Sequence, residues 1–176
     1  AAVYPKHAAV IHGEVVTNWD ESYRRVRRLA SALARRGVRK GHTVSVLVPN
    51  TPAIFEASYG VPMAGGVVNT INTRLDAATI AFILEHGEAK VLIADQEFAG
   101  VVSEAVAALS EKPLIVNTND AEGPSGVSFG DLDYEALLAE GDPEYEWQGP
   151  DSEWDAISLN YTSGTTGRPK GTNLPP

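Results

Sequence analysis

The stretch that decides the fold is residues 44–52, Val-Ser-Val-Leu-Val-Pro-Asn-Thr-Pro. Its first five residues are mostly apolar, which is typical of a strand buried on both faces of a parallel sheet. Pro49 ends this strand, because proline cannot donate a hydrogen bond to a sheet. Thr51 and Pro52 suit the cap and first turn of a helix, which we expect to run to about Met63.

The same alternation of apolar runs and helical stretches continues after this unit. Apolar strands separated by helices of about ten residues are typical of a parallel sheet that is covered on both sides. We therefore predict an α/β fold, with a mainly parallel sheet and helices on both faces. The predicted strands are 67–69, 91–94, 114–116 and 155–161, and the predicted helices are 76–86, 99–109 and a short one, capped by Asp131, that closes at Gly141.

The residues before this unit predict a hairpin and a basic helix. We expect a small β-hairpin over residues 8–17, followed by a helix that Asn18 and Glu21 begin with a capping arrangement and Gly37 ends. Eight of the fourteen basic residues lie within residues 24–40, on the side of this helix away from its apolar stripe. We interpret them as a solvated face that balances an acidic neighbouring surface.

Two further expectations concern an exposed strand and the burial of aromatic side chains. Strand 157–161 should form an exposed sheet edge, which would make the chain by itself prone to aggregate. Five aromatic side chains at helical spacing should pack in the core rather than stack on a ligand. These side chains are Trp19, Tyr23, Phe55, Tyr59 and Phe82.

Composition excludes several classes of protein. With 176 residues, 43% of them hydrophobic and 21% charged, the chain has the make-up of one folded domain, or of one domain and a fraction. The absence of cysteine excludes disulfides, thiolate metal sites and cysteine nucleophiles. The net charge of −9 argues against nucleic acid or anionic lipid as a partner. No apolar run approaches the roughly 20 residues of a membrane span, and we expect a cytoplasmic protein.

The segment that carries chemistry is residues 161–171, Tyr-Thr-Ser-Gly-Thr-Thr-Gly-Arg-Pro-Lys-Gly. Its glycines allow positive φ angles and a close approach of the backbone to a ligand. Successive N–H groups can then form an anion-binding nest. The hydroxyls add neutral donors, and Lys170 adds a positive charge on a long stem. The segment therefore predicts a loop that binds a polyphosphate.

The distribution of charge supports this prediction. After Lys112 the chain contains twelve acidic residues and only two basic ones, Arg168 and Lys170, and both lie in this segment. The glycines and the lysine are three residues apart, which is not the spacing of the nucleotide triphosphatase P-loop. Glycine-rich turns are common, so the prediction rests on the whole ten-residue string from Thr162 to Gly171.

Residues 161–171 resemble the phosphate-loop signature of the adenylate-forming superfamily, which includes acyl-CoA synthetases, adenylation domains of peptide synthetases and beetle luciferases. Residues 18–21, 48–52 and 61–75 resemble other segments of the same superfamily, so the resemblance covers nearly the whole chain. Together with residues 80–92 they are most similar to bacterial short- and medium-chain acyl-CoA synthetases, including the 3-methylmercaptopropionyl-CoA ligase group. The resemblance implies the N-terminal portion of the large domain of such an enzyme.

The resemblance also implies an AMP-forming ligase that joins a fatty or other small carboxylic acid to coenzyme A. In this scheme the acid attacks the α-phosphate of Mg·ATP to give an acyl-adenylate and pyrophosphate, and the CoA thiol then displaces AMP. Lys170 would offset phosphate charge, and Thr162 would also be the Mg²⁺ ligand. The residues implied to contact phosphate are Thr162, Ser163, Gly164, Thr165, Thr166, Gly167 and Lys170.

No catalytic residue is implied within this chain, since the superfamily carries its adenine and acyl pockets further downstream. Residues 1–176 are expected to be an incomplete N-terminal α/β subdomain that ends just after the loop at 162–171, that works with the rest of the same polypeptide and that does not form acyl-adenylate alone. A homodimer is a further expectation. Two alternatives stay open here: an adenylating enzyme with a non-CoA acceptor, and a non-catalytic module that binds phosphate or a nucleotide.

Overall fold

The structure, a computed structural model, describes residues 2–124, 126–162 and 170–175. Strands and helices alternate along most of this part of the chain. The strands are β1 (Ala8–His12), β2 (Val15–Asn18), β3 (Thr43–Leu47), β4 (Val67–Thr70), β5 (Ala89–Asp95), β6 (Leu114–Thr118), β7 (Leu132–Asp133), β8 (Ser158–Thr162) and β9 (Lys170–Leu174). The α-helices are α1 (Trp19–Arg35), α2 (Pro52–Met63), α3 (Ala77–His86), α4 (Ala99–Ala107) and α5 (Tyr134–Glu140).

The main sheet has the strand order β7-β6-β5-β3-β4-β8-β9. Its neighbouring strands run parallel, except that β8 and β9 are antiparallel. Strands β1 and β2 form a separate antiparallel hairpin at the position predicted for one. The prediction of a mainly parallel sheet is confirmed.

Helices cover both faces of the sheet, as predicted. Successive side chains of a strand point to opposite faces, so Val46 of β3 enters one core and Leu47 enters the other. The core on the first face joins the sheet to α1, α2 and α5, and its buried helical side chains include Leu29, Leu33, Val61, Leu137 and Leu138. The core on the second face joins the sheet to α3 and α4, and its buried helical side chains include Ile80, Ile83, Leu84, Val102 and Val106.

Helix starts were predicted well where the signal is local. Asn18 and Glu21 form a complete capping box, in which the Asn18 side chain accepts from the Glu21 N–H at 3.0 Å and Glu21 accepts from the Asn18 N–H at 2.9 Å. The predicted cap of α5 is wrong. Asp133 caps that helix, whereas Asp131 accepts from the backbone N–H of Ile115, because the intervening residues pair with β6 as β7 and delay the helix.

The basic face of α1 meets an acidic surface of the same chain, which confirms the interpretation drawn from the sequence. The partners come from α5 and from the loop that follows it. The hydrogen bond from Arg36 lowers the pKa of Glu140 below its ordinary value. The pairs are Arg25 with Glu135, Arg27 with Glu144, Arg36 with Glu140, and Lys40 with Asp151 and Asp155.

The expectation of an uncovered edge at residues 157–161 is wrong. The chain returns after residue 169 and pairs β9 with β8 from Ser158–Leu174 to Thr162–Lys170. Strand β9 therefore satisfies the outer backbone groups of β8, and all five residues of β9 are exposed. The edge of the sheet is thus β9 rather than β8.

The expectation that the aromatic side chains pack in the core is wrong for Trp19 and Tyr59, which are 37% and 50% exposed. It is also wrong for Tyr23 and Phe55, which are partly buried and belong to neither core, whereas Phe82 packs against the core on the second face. Trp19 packs against Phe55 with ring centroids 6.2 Å apart, and Phe55 meets Tyr59 edge-on at 5.2 Å. The three rings form a cluster on the outer side of α1 and α2. Helical spacing shows that residues share a face but not which face another element covers.

Candidate functional site

The hairpin of β8 and β9 carries the segment that the sequence singled out. Strand β8 runs parallel to β4, so Thr162 lies at the same edge of the sheet as the carboxyl ends of the other parallel strands. In open α/β sheets, ligands bind outside the carboxyl ends of the strands. Residues 163–169, which include the predicted ligands Ser163, Gly164, Thr165, Thr166 and Gly167, lie outside the described residues.

The two predicted ligands that the structure does describe, Thr162 and Lys170, are brought together. They are directly opposite each other in the antiparallel register of β8 and β9. Side chains opposite each other in such a pair lie on one face with their Cβ atoms about 5 Å apart. Both residues are exposed. A hydroxyl donor and an ammonium group therefore flank the segment 163–169 on the same face of the hairpin.

Lys170 is a point of positive charge in the acidic C-terminal part of the chain. The acidic residues from 135 to 155 that form ion pairs do so with basic residues far from it in the sequence, namely Arg25, Arg27, Arg36 and Lys40. Lys170 is the one basic residue after Lys112 in the described part of the chain, since Arg168 lies outside it. A positive charge thus stands at the carboxyl edge of the sheet, which suits a phosphate-bearing ligand.

Side chains, as well as backbone, attach β8 to the rest of the fold. The Asn69 amide of β4 donates to the Leu159 carbonyl at 2.8 Å. The Tyr161 hydroxyl is hydrogen-bonded to Nδ1 of His86, at the end of α3, across 2.8 Å. Burial raises the pKa of Tyr161 above its ordinary value, so the hydroxyl keeps its proton.

Sequence reasoning missed both Asn69 and the partner of His86, which the structure shows to be Tyr161. Asparagine is depleted in strands, so Asn69 within the apolar run of β4 was a usable signal for a buried hydrogen bond. Nothing local to residue 86 pointed to a residue 75 positions away.

A polar cavity lies at the carboxyl ends of β5 and β6, apart from the hairpin of β8 and β9. Buried Asp95 accepts a hydrogen bond from Thr118 at 2.8 Å, and the cavity beside them has a volume of about 340 Å³. Thr51 lines it, and its buried hydroxyl makes no hydrogen bond within the described residues. The expected side-chain cap of α2 by Thr51 is therefore not made.

A larger cavity, of about 600 Å³, lies at the other end of the parallel strands, where they begin. It is lined by Lys40, Gly66 and Ile157, which precede β3, β4 and β8, and by the aromatic rings of Tyr59 and Trp147. It is therefore at the amino ends of the strands and separate from Thr162 and Lys170.

Among the described residues, no helix is both long enough and apolar enough to cross a membrane.

Comparison with known proteins identifies the family. The family model described as AMP-binding enzyme matches residues 1–175. The chain belongs to the AMP-binding enzyme family. Membership in this family confirms the resemblance that residues 161–171 carry.

Related AMP-binding enzymes are CoA ligases. The chain is 44% identical, over 99% of its length, to a peroxisomal acetate/butyrate–CoA ligase of Arabidopsis thaliana, and covers 33% of that protein. It is 39% identical, over 97% of its length, to a 2-methylpropanoate–CoA ligase of Humulus lupulus, and covers 32% of it. The chain thus spans about a third of the length of the curated relatives it matches.

Solved structures show the same fold. The crystal structure of the anthranilate CoA ligase AuaEII in complex with anthranoyl-AMP superimposes with a TM-score of 0.87 at 27% identity, over 97% of this chain and 32% of that one. The prediction of an α/β portion of the N-terminal domain of an adenylate-forming enzyme is confirmed by this match.

Proposed function

We propose that this chain supplies the ATP phosphate-binding loop of an AMP-forming acid–CoA ligase. One observation carries the proposal. In a member of the AMP-binding enzyme family, the register of β8 and β9 places Thr162 and Lys170 side by side at the carboxyl edge of a parallel sheet. The match to an enzyme in complex with anthranoyl-AMP supports the acyl-adenylate step.

The reaction joins a carboxylic acid to coenzyme A in two steps. The carboxylate oxygen attacks the α-phosphorus of ATP, and pyrophosphate leaves. The CoA sulfur then attacks the acyl carbon of the adenylate, loses its proton, and AMP leaves. The products are the thioester, AMP and pyrophosphate, so no oxidant or reductant is required.

The role of this chain in the first step is electrostatic. As pyrophosphate leaves, negative charge grows on its oxygens. The Lys170 ammonium and the Thr162 hydroxyl would offset that charge by hydrogen bonds that are already in position. We assign the same binding role to residues 163–167, whose N–H groups and hydroxyls complete the cradle. None of these groups forms a covalent bond to the substrate.

Mg²⁺ fits the donors available at this site. Within the described residues, no group of three or more His, Cys, Asp or Glu side chains could hold a metal ion, and the segment 162–170 contains no carboxylate. Magnesium commonly keeps several waters and is bound through phosphate oxygens of its substrate and one or two carboxylates. The Thr162 hydroxyl would be one protein ligand, any carboxylate ligand would come from outside this segment, and the ion would neutralise phosphate charge.

The relatives indicate the class of acid. Their names include acetate, butyrate, 2-methylpropanoate, benzoate and trans-cinnamate ligases, so we propose a small aliphatic or aromatic carboxylic acid as the substrate. We further propose a cytoplasmic enzyme that acts as a homodimer. Several of the relatives are named as peroxisomal, which makes localisation an experimental question.

The test is carboxylate-dependent exchange of labelled pyrophosphate into ATP by the whole protein, across a panel of small acids. Replacing Lys170 with alanine should lower kcat/KM for ATP by about 10- to 100-fold, the usual effect of losing a charge-assisted hydrogen bond. Lys112→Ala, which removes an exposed lysine before β6, is the matched control and should leave kcat/KM unchanged.

Two outcomes would overturn the proposal. One is that no acid supports exchange, and the other is that Lys170→Ala behaves like Lys112→Ala. A second measurement tests the acceptor: AMP release should rise when CoA is added. Exchange without any response to CoA would assign the chain to an adenylating enzyme with another acceptor.

A further inference from the structure

The strand that leads into the phosphate loop is attached to the sheet in an unusual way. The interior pairs of the sheet, β3 with β5 and β5 with β6, each run through five residue positions. The pairing of β4 with β8 has one, Val68 with Ser158, and one further backbone hydrogen bond from Val68 to Ile157. Backbone pairing with β4 therefore supports only the beginning of β8, at the amino ends of the parallel strands and away from the loop.

A buried asparagine makes the next attachment. Asn69 is fully buried, and its Oδ1 accepts a hydrogen bond from the hydroxyl of Ser45 at 3.0 Å. This bond orients the amide so that Nδ2 donates to the Leu159 carbonyl at 2.8 Å. Ser45 is also fully buried and belongs to β3, in the middle of the sheet. The chain of hydrogen bonds thus links the centre of the sheet to β8.

A second side-chain attachment lies two residues closer to the loop. The Tyr161 hydroxyl is hydrogen-bonded to His86, and the two rings meet edge-on with centroids 5.7 Å apart. Both attachments are on the α3 side of the sheet, since alternate residues of β8 share a face. Tyr161 immediately precedes Thr162, so it is the last attached side chain before the loop.

We propose that Asn69 is a positioning residue for ATP binding, and that Tyr161 assists it. The inference rests on the proposed function of the loop. Asn69 holds the Leu159 carbonyl, and through it the end of β8, at a set distance from β4. Without this hydrogen bond, the backbone pairing described between β4 and β8 is limited to the start of β8, at Ser158. The residues from 159 to Thr162 would then be held by β9 and by two side-chain contacts, a long one of 3.5 Å from Thr70 to Asn160 and the one between Tyr161 and His86. Thr162 and Lys170 would then be aligned with the phosphates for a smaller fraction of the time.

The test compares Asn69→Ser with Asn117→Ser in the whole protein. Asn117 is a matched control, because it is also a buried asparagine on a parallel strand but lies on β6, four positions from β8 in the sheet order. Both variants should lose thermal stability. Asn69→Ser should also raise KM for ATP by about five- to tenfold, while Asn117→Ser leaves it unchanged. KM for the acid should not change in either variant.

Hydrogen exchange supplies a readout that does not depend on activity. Amides of residues 159–162 should exchange faster in Asn69→Ser than in the wild type, with no change in β5. Tyr161→Phe, which removes one hydroxyl and keeps the ring, should give a smaller change in the same direction and is available if Asn69→Ser does not fold. Tyr59→Phe, at the opposite edge of the sheet, is its control.

The outcomes separate the two proposals. Wild-type protein without carboxylate-dependent exchange of pyrophosphate would refute the proposed function, whatever the variants do. An active wild type in which Asn69→Ser and Asn117→Ser have the same KM for ATP, or in which residues 159–162 keep their exchange rates, would refute the positioning role of Asn69 alone.

Discussion

Replacing Arg25 with methionine should lower the free energy of unfolding by about 3 kcal/mol. The guanidinium of Arg25 lies where α1, α2 and α5 meet. Its Nε and Nη2 donate to Glu56 of α2, and its Nη groups also donate to Glu135 of α5. Glu56 is 3% exposed and accepts a further hydrogen bond from the hydroxyl of Tyr134 at 2.9 Å. The substitution therefore leaves a buried carboxylate without its cation.

The magnitude follows from the burial of each partner. Removing one member of a buried ion pair costs about 3–5 kcal/mol. The lower end applies, because the Arg25 side chain is 31% exposed and Tyr134 still donates to Glu56. The Glu135 side chain is 66% exposed, so its pair with Arg25 adds little. For a domain of this size, about 3 kcal/mol corresponds to a fall of roughly 6–12 °C in Tm.

The assay is urea unfolding of the purified chain, followed by circular dichroism. The matched control is Arg36→Met, whose partner Glu140 is 42% exposed, so that this substitution should change the free energy of unfolding only slightly. The double variant Arg25→Met with Glu56→Met should recover much of the lost stability, because it removes the buried charge as well. Equal losses in Arg25→Met and Arg36→Met would refute this account of the buried pair.

Two other predictions concern glycines and acid. Gly60→Ala should destabilise the chain by about 1–3 kcal/mol, because the new Cβ would lie 2.8 Å from Leu29 Cδ2. Gly100→Ala is the control and should stabilise the chain by about 0.5–1 kcal/mol, because α4 has open space at this position. Equal shifts in Tm for the two variants would contradict the close packing of α1 and α2. The hydrogen bond from Lys40 lowers the pKa of Asp155 in the folded state, so the stability from this pair is present above the unfolded pKa of about 4 and is lost as the pH falls through the lowered value. The denaturant midpoint should therefore drop below about pH 4, and less steeply in Lys40→Met; identical acid profiles would contradict a role for the pair.

The sequence was sufficient for the features whose causes lie within a few residues. The strand at 44–48 and the capping box of Asn18 and Glu21 are examples, and both were found where they were expected. Residues 161–171 could be identified as a motif of the family, but their surroundings could not. The attachment of β8 through Asn69 joins residues 90 positions apart, and no local pattern specifies such a pair.

Errors arose where tertiary pairing overrode a local signal. Asp131 is an acceptable helix cap, yet pairing of β7 with β6 moved the cap to Asp133. Trp19 and Tyr59 share helical faces with core residues, yet no described element covers them. A helix cap is worth about 1 kcal/mol, which is within reach of the cross-strand contacts of a short strand. Helical spacing places Trp19 and Tyr59 on a face of their helix but does not determine which element covers that face.

The sequence by itself determined the class of the fold, the starts of its well-capped helices and the family to which the loop belongs, because periodicity, caps and motif residues act over short distances along the chain. The tertiary structure alone decided that β9 folds back beside β8, that the acidic residues paired with the arginines of α1 come from α5 and the loop after it, and that Thr162 stands beside Lys170. These features depend on contacts between distant segments, whose free energy is gained only when the whole sheet is assembled.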